Sequence, residues 1–152
     1  MSKLKKSSRA PKIQPPTAAT TVCLEKQYPF FSFRYMTTNK RYSLSSIEKL
    51  NASEQHAVLS GLVQRISEIT KESWESLHNQ RKNQNGYEMI PKYQIKFDFA
   101  YPLTDDAKLI VFRFNTHLGN KHGRIIGFKD SPCSAYYVFG LDLDFSAYNH
   151  GS

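Results

Sequence analysis

Three apolar segments separated by short polar loops occupy the last third of the sequence, and they limit the possible folds more than any other feature. They span residues 108–114, 124–128 and 135–142. Each has the length and the β-branched or aromatic content typical of a buried strand. Because consecutive strands joined by short loops tend to pair antiparallel, we predict a three-strand meander.

An earlier segment also has a strand pattern. Over residues 30–36, the side chains of Phe31, Phe33 and Tyr35 alternate with those of the residues between them. Successive side chains of a strand point to opposite faces. We therefore predict an N-terminal strand over this segment with one buried face.

A helical region follows this strand. A short turn is predicted over residues 45–50, capped by Ser45 or Ser46. Asn51 and Glu54 have the spacing of a capping box, and the helix beyond them should bury one apolar stripe. The stripe comprises Val58, Leu59, Leu62, Val63, Ile66 and Ile69.

A second helix is predicted directly after the first. Thr70 has a side chain suited to its N-cap, and Trp74 and Leu77 would lie on its inner face. Residues 83–86 contain Asn and Gly and would end it. Within the first helix, Gly61 is expected to reduce stability by roughly 1 kcal/mol relative to Ala.

The segment between the helices and the meander has two interpretations. Residues 93–99 alternate like a strand but are bracketed by Pro91 and Pro102, so they form either an extra edge strand or an ordered connection. Together the elements predict an α+β fold, with an N-terminal strand and two helices packed on an antiparallel sheet that ends in the meander. The other face of the sheet would be partly open, and a functional site would lie there.

The positive charge is concentrated near the N-terminus. The chain has a net charge of +8, and residues 1–26 hold six basic residues against a single acid, Glu25. Their Pro, Ser and Lys content is too polar for a core, so we predict a disordered basic arm at 1–26 and one domain at 27–152. Such an arm either binds phosphates or serves as a solvated tail, and composition does not separate these alternatives.

The sequence also argues against secreted and membrane proteins. No apolar run approaches the roughly 20 residues that a transmembrane helix needs, and no signal peptide is recognisable. Cys23 and Cys133 are expected to be unpaired thiols in a reducing compartment. We therefore predict a cytoplasmic protein without a membrane partner.

Familiar catalytic motifs do not occur in the sequence. His117, His122, Cys133 and His150 lack the usual spacing of zinc ligands, and loop histidines are the preferred interpretation. Neither a phosphate-binding loop nor a nucleophile elbow is found. We predict no metal and no cofactor.

Asp142 and Asp144 are separated by one residue and would share one face of a strand. Paired carboxylates are one interpretation of this spacing. We prefer the other, in which the two residues end the last strand and meet basic side chains in solvent.

Two arginines interrupt the apolar strands of the predicted meander. Arg113 and Arg124 must reach solvent, a phosphate or an acid such as Asp142 or Glu88. Metal-free RNA cleavage needs a proton acceptor, a proton donor and cations at the phosphate. The simpler interpretation is that each arginine pairs with an acid. Further basic, imidazole or phenol groups come from nearby loops and the C-terminus: Lys121, His122, Lys129, Tyr148 and His150.

The order of elements resembles that of the RelE/ParE superfamily of bacterial toxins, which have one strand, two helices and a C-terminal meander. The resemblance covers residues 28–152, with local similarity at Arg113, 122–128 and 148–150. It implies a metal-independent endoribonuclease toxin that cleaves mRNA, with or without the ribosome. It also implies RNA and a cognate antitoxin protein as partners.

The resemblance further implies roles for individual residues. It assigns phosphate binding to Arg113 and Arg124. Proton transfer falls to Tyr148 or His150, and Glu88 takes the acidic role found in some members. The alternative is a non-catalytic module, such as a phage- or plasmid-encoded inhibitor, that binds nucleic acid or protein. The residues expected to contact RNA are Lys121, His122 and Lys129.

Overall fold

The computed structural model describes residues 27–131 and 134–149. The predicted basic arm, both cysteines and His150 lie outside these ranges. Among the described residues, no helix combines the length and the hydropathy needed to cross a membrane.

Five strands form one sheet. They are β1 (Phe30–Ser32), β2 (Glu88–Pro91), β3 (Lys108–Asn115), β4 (His122–Lys129) and β5 (Ala135–Asp142). Their order in the sheet is β1-β5-β4-β3-β2. The antiparallel pairing of β3, β4 and β5 confirms the predicted meander, whereas β1 pairs parallel to β5. The α+β class is therefore confirmed, with a mixed sheet in place of a purely antiparallel one.

The first strand is shorter than the alternation over 30–36 predicts. Only residues 30–32 pair with β5. The chain then turns, because the Met36 amide donates a hydrogen bond back to the carbonyl of Phe33 at 3.2 Å. The predicted burial of Phe33 is wrong, since this side chain is 43% exposed.

Three helices pack on one face of the sheet, which we call the helix face. They are α1 (Ser45–Glu48), α2 (Ala52–Thr70) and α3 (Trp74–Asn79). The predicted capping box at the start of α2 is confirmed. The Asn51 side chain accepts from the Glu54 amide at 2.9 Å, and the Glu54 carboxylate accepts from the Asn51 amide at 3.1 Å.

The predicted cap of the second helix is wrong. Thr70 is the last residue of α2, and its hydroxyl donates to the carbonyl of Ser67. Ser73 caps α3 instead, since its side chain accepts from the Ser76 amide at 3.0 Å. Trp74 and Leu77 are buried on the helix face, as predicted.

The stripe that α2 buries is narrower than its sequence predicts. Leu59 and Val63 are 43% and 63% exposed, so their predicted burial is wrong. With 3.6 residues per turn, both positions lie about a quarter-turn or more from the centre of the stripe. The buried residues of α2 are Val58, Gly61, Leu62, Arg65 and Ile69.

Gly61 lets α2 lie directly on β3. A Cβ atom at this position would sit 1.9 Å from the carbonyl oxygen of Asn115. We expect Gly61→Ala to lower the free energy of unfolding by about 1–3 kcal/mol, as overpacking does, although alanine is the better helix former by about 1 kcal/mol. Urea denaturation measures the change, with Ser60→Ala at an exposed position of α2 as the control. An alanine variant as stable as the wild type would contradict this close approach.

The extra edge strand lies earlier in the chain than the alternating segment 93–99 indicates. Glu88–Pro91 pairs with β3 as β2. A 3-10 turn at Lys92–Gln94 and an irregular connection follow it. Of the two interpretations of 93–99, the ordered connection is the one that the structure has.

This connection covers the second face of the sheet, so the expectation of a partly open face is wrong. Ile95 and Phe97 are buried there together with Tyr148. The amide of Lys96 donates to the carbonyl of Ala147 at 2.9 Å. The connection and the residues after β5 therefore hold each other against the sheet.

Candidate functional site

A row of four charged side chains crosses the second face of the sheet. Arg113 on β3 lies opposite Arg124 on β4, which lies opposite Asp142 on β5. Glu88 on β2 lies opposite Val111, two residues before Arg113. Paired residues share a face of the sheet, as do residues two apart on one strand. Across the neighbouring strands β2, β3, β4 and β5, the row therefore consists of Glu88, Arg113, Arg124 and Asp142, in that order.

The pair of Arg124 and Asp142 forms the buried end of the row. Nη1 of Arg124 donates to Oδ2 of Asp142 at 3.1 Å, and neither side chain is exposed. The same carboxylate accepts from the amides of Ser146 at 3.0 Å and Ala147 at 3.2 Å. Asp142 thus ends β5 as predicted, but the expectation that it lies in solvent is wrong. It binds both Arg124 and the residues 143–149, which we call the C-terminal segment.

Two aromatic rings of the C-terminal segment contact the Arg124 guanidinium. Its Cζ lies 3.9 Å from the ring centroid of Phe145 and 4.3 Å from that of Tyr148. Among the residues that the structure describes, Nε and Nη2 of Arg124 have no hydrogen-bond partner. One carboxylate and two ring faces therefore compensate this buried charge, and two of its donor groups are unused.

Glu88 forms the more exposed end of the row. It accepts a hydrogen bond from the hydroxyl of Tyr148 at 2.5 Å and pairs with Nζ of Lys82 at 3.3 Å. Nη2 of Arg113 lies 3.8 Å from the same carboxylate. With the contact between Arg124 and Asp142, this confirms the interpretation that each arginine pairs with an acid.

The pKa values of Glu88 and Tyr148 are both shifted from their ordinary values. Burial raises the pKa of Glu88, but the hydrogen bond from Tyr148 and the charges of Lys82 and Arg113 outweigh it, so the pKa lies below its ordinary value. Burial and the hydrogen bond to Glu88 raise the pKa of Tyr148 far above its ordinary value. At neutral pH, Glu88 is therefore an anion and Tyr148 is a neutral phenol that donates to it.

Two concavities adjoin the row. The first, which we call the groove, has a volume of about 280 Å³, and its walls include Lys82, Arg113 and His122. The second, which we call the C-terminal cavity, has a volume of about 500 Å³, and its walls include Lys121, His122 and Phe145. Since His122 lines both, a single extended ligand can contact both.

The structure brings most of the predicted site residues together. His150 lies outside the described residues, and its role stays a prediction. Lys121 and His122, predicted to contact RNA, line the concavities. Lys129 does not join them, because it ends β4 at the opposite end from His122 and its Nζ lies 5.2 Å from the ring of Trp74. The predicted catalytic residues that lie in or beside the row are Glu88, Arg113, Arg124 and Tyr148.

Two residues of the site were not predicted from the sequence. Lys82 lies in the turn after α3, and Phe145 lies in the C-terminal segment. Neither position belongs to a periodic element, so no pattern indicates where its side chain points. Their proximity to Glu88 and Arg124 depends on contacts between distant parts of the chain.

The histidines do not gather into a metal site. Within residues 27–131 and 134–149, no three side chains of His, Cys, Asp or Glu are grouped so that they could hold a metal ion. His117 lies in the loop between β3 and β4, and His122 is the first residue of β4.

Comparison with known proteins adds no assignment. No family model matches the chain, and no curated protein sequence or solved structure is significantly similar to it. The resemblance to the RelE/ParE toxins therefore stays a prediction, and the function is proposed from the site itself.

Proposed function

We propose that this protein is a metal-independent endoribonuclease that cleaves mRNA, as the toxins of toxin–antitoxin systems do. The observation that carries the proposal is the position of Glu88. An ionised carboxylate lies between Lys82 and Arg113, beside a groove that His122 also lines. Metal-free RNA cleavage requires a proton acceptor, cations that bind the phosphate, and a proton donor.

In the proposed reaction, the Glu88 carboxylate accepts the proton of the ribose 2′-hydroxyl. The 2′ oxygen attacks phosphorus, and Arg113 and Lys82 stabilise the charge on the non-bridging oxygens. Protonated His122 donates its proton to the 5′ oxygen as the bond from phosphorus to that oxygen breaks. The products are a 2′,3′-cyclic phosphate and a 5′-hydroxyl end.

Two of the residues that the resemblance assigns to catalysis take positioning roles in this proposal. Tyr148 is 1% exposed, and its raised pKa makes it a poor proton carrier at neutral pH. Its hydroxyl orients the Glu88 carboxylate instead. Arg124 is buried under Phe145 and Tyr148, and it anchors the C-terminal segment through Asp142.

The test is cleavage of end-labelled RNA by the purified full chain in the presence of EDTA, alone and with ribosomes. We expect 2′,3′-cyclic phosphate ends and loss of cleavage in His122→Ala. A His150→Ala variant tests the role that the resemblance implies for that residue. Intact RNA after incubation with well-folded protein in both settings would overturn the proposal.

A second candidate, a non-catalytic nucleic-acid-binding module, is favoured by the complete burial of Arg124 and Asp142. Because both side chains are buried, this ion pair has a structural role, and Arg124 is not available to bind a substrate phosphate. A module would bind RNA with an affinity that falls steeply with salt and declines with each cation removed. It would leave the RNA uncut, which separates it from the ribonuclease.

A further inference from the structure

The C-terminal cavity adjoins the groove, and its walls include an aromatic ring, a side-chain amide, a lysine and an imidazole. We infer that it binds an unpaired nucleobase of the RNA strand, which stacks on the ring of Phe145. This inference rests on the proposed function, because it adds a second contact with the same RNA strand. The cavity volume of about 500 Å³ lies within the range of small-molecule sites.

Phe145 is held in place to present its ring. Its backbone φ is +60°, a conformation that residues with a side chain rarely adopt and that the surrounding contacts must enforce. The amides of the next two residues, Ser146 and Ala147, bind the buried carboxylate of Asp142. The ring lies 3.9 Å from the Arg124 guanidinium and is still 36% exposed. A ring fixed in this way loses little side-chain freedom when a base stacks on it.

Three other wall residues complement the remaining parts of a nucleotide, whereas the Asp144 carboxylate, which also lines the cavity, pairs with Arg41. Asn120 offers an amide to the polar edge of a base, and Lys121 offers a cation to the adjoining phosphate. His122 belongs to both concavities, so a base in the cavity and a phosphate in the groove can be parts of one strand. Recognition of single-stranded RNA commonly combines stacking on an aromatic ring with phosphate contacts in this manner.

A double-mutant cycle tests the stacking directly. The probes are a fluorescein-labelled 2′-O-methyl oligouridine, which cannot be cleaved because its 2′ oxygen carries no proton, and an abasic oligomer of the same length. We expect Phe145→Leu to weaken binding of the oligouridine about tenfold, as loss of one stacked base does, and to leave binding of the abasic oligomer unchanged. Phe145→Trp should restore the wild-type affinity. Fluorescence anisotropy measures all four combinations.

Two further variants keep the test informative if Phe145→Leu disturbs folding. Tyr93→Leu removes an aromatic ring that is 79% exposed and lies outside the cavity, and it should not change either affinity. Lys121→Ala, at an exposed loop position, should weaken binding of both oligomers by the same factor.

The outcomes separate the inference from the proposed function. If the wild type binds the oligouridine but Phe145→Leu binds it equally well, or weakens both oligomers equally, only the base site is overturned. If uridine monophosphate binds as tightly as the oligomer, the ligand is a free nucleotide and the inferred RNA contact is wrong. If the wild type binds neither oligomer but cleaves RNA, alone or with ribosomes, only the base site is overturned; if it neither binds nor cleaves, the base site and the proposed function are both overturned.

Discussion

Replacing Asp142 with Asn is expected to lower the free energy of unfolding by about 3–5 kcal/mol, because the substitution breaks a buried ion pair and leaves one charge uncompensated. Arg124 is fully buried, and its single ion pair among the described residues is with Asp142. The carboxylate also binds the amides of Ser146 and Ala147, so the C-terminal segment loses its anchor at the same time. Urea denaturation at neutral pH measures the effect.

The matched control is Asp144→Asn, two residues further along the chain. Asp144 pairs with Arg41 at 2.8 Å, but the two side chains are 53% and 58% exposed, so we expect a loss of at most about 1 kcal/mol. Arg124→Met in the background of Asp142→Asn should recover part of the lost stability, since it removes the unpaired charge. Equal losses for the two asparagine variants would show that the buried pair contributes no more than the exposed one.

The same control has a defined pH dependence. Burial raises the pKa of Asp144, but hydrogen bonds from Ser146 and Arg41 outweigh it and lower the pKa to about 2. A group with a lowered folded-state pKa stabilises the fold above its unfolded value of 3.8, and the stabilisation is lost as the pH falls toward 2. The difference between the wild type and Asp144→Asn should therefore shrink over this interval.

The elements that the sequence predicts well are those specified by neighbouring residues. The meander follows from three apolar segments with short loops, and the capping box of Asn51 and Glu54 requires only their spacing. In contrast, the alternation over 93–99 resembles a strand, although this segment belongs to the irregular connection that packs on the second face of the sheet. Its rings Phe97 and Phe99 pack against Tyr42 and Phe139, which are distant in the sequence, so no local period predicts these contacts. Long-range contacts of this kind leave no local pattern.

Part of the candidate site was predictable, because it lies on consecutive strands whose pairing follows from the local sequence pattern. Arg113 and Arg124 interrupt apolar strands, and antiparallel pairing of two consecutive strands places them side by side. The sequence does not predict that Arg124 is buried, because that depends on the position of Phe145 and Tyr148 above it. The chemical types at the site were therefore predictable, whereas their exposure to a substrate was not.

Glu88→Gln is expected to reduce the rate of RNA cleavage by about 10²- to 10⁴-fold, the range for loss of a general base. The glutamine side chain still accepts the hydrogen bond from Tyr148, so the substitution removes the base while keeping the contact. Affinity for uncleavable RNA should be unchanged or higher, because a negative charge leaves the site. Single-turnover cleavage and anisotropy measure the two quantities separately.

Two variants control for indirect effects on the groove. Glu68→Gln changes a carboxylate that lines the groove, whereas Glu88 lies beside it, and we expect cleavage at nearly the wild-type rate. Tyr148→Phe removes the hydrogen bond but keeps the Glu88 carboxylate, so its loss of rate should be smaller than that of Glu88→Gln. If Tyr148→Phe abolished cleavage while Glu88→Gln retained it, the phenol would be the proton-transfer group and the assignment to Glu88 would be wrong.

The pH profile distinguishes a base from a merely structural carboxylate. The folded-state pKa of Glu88 lies below its ordinary value of 4.5, so the base is ionised at neutral pH. On the acidic side, kcat/KM should therefore fall only below about pH 4.5. In Glu88→Gln, whatever cleavage remains should lack this acidic limb. A residual activity with an unchanged acidic limb would mean that another group accepts the proton, and the row of charges would then be a structural feature of the second face.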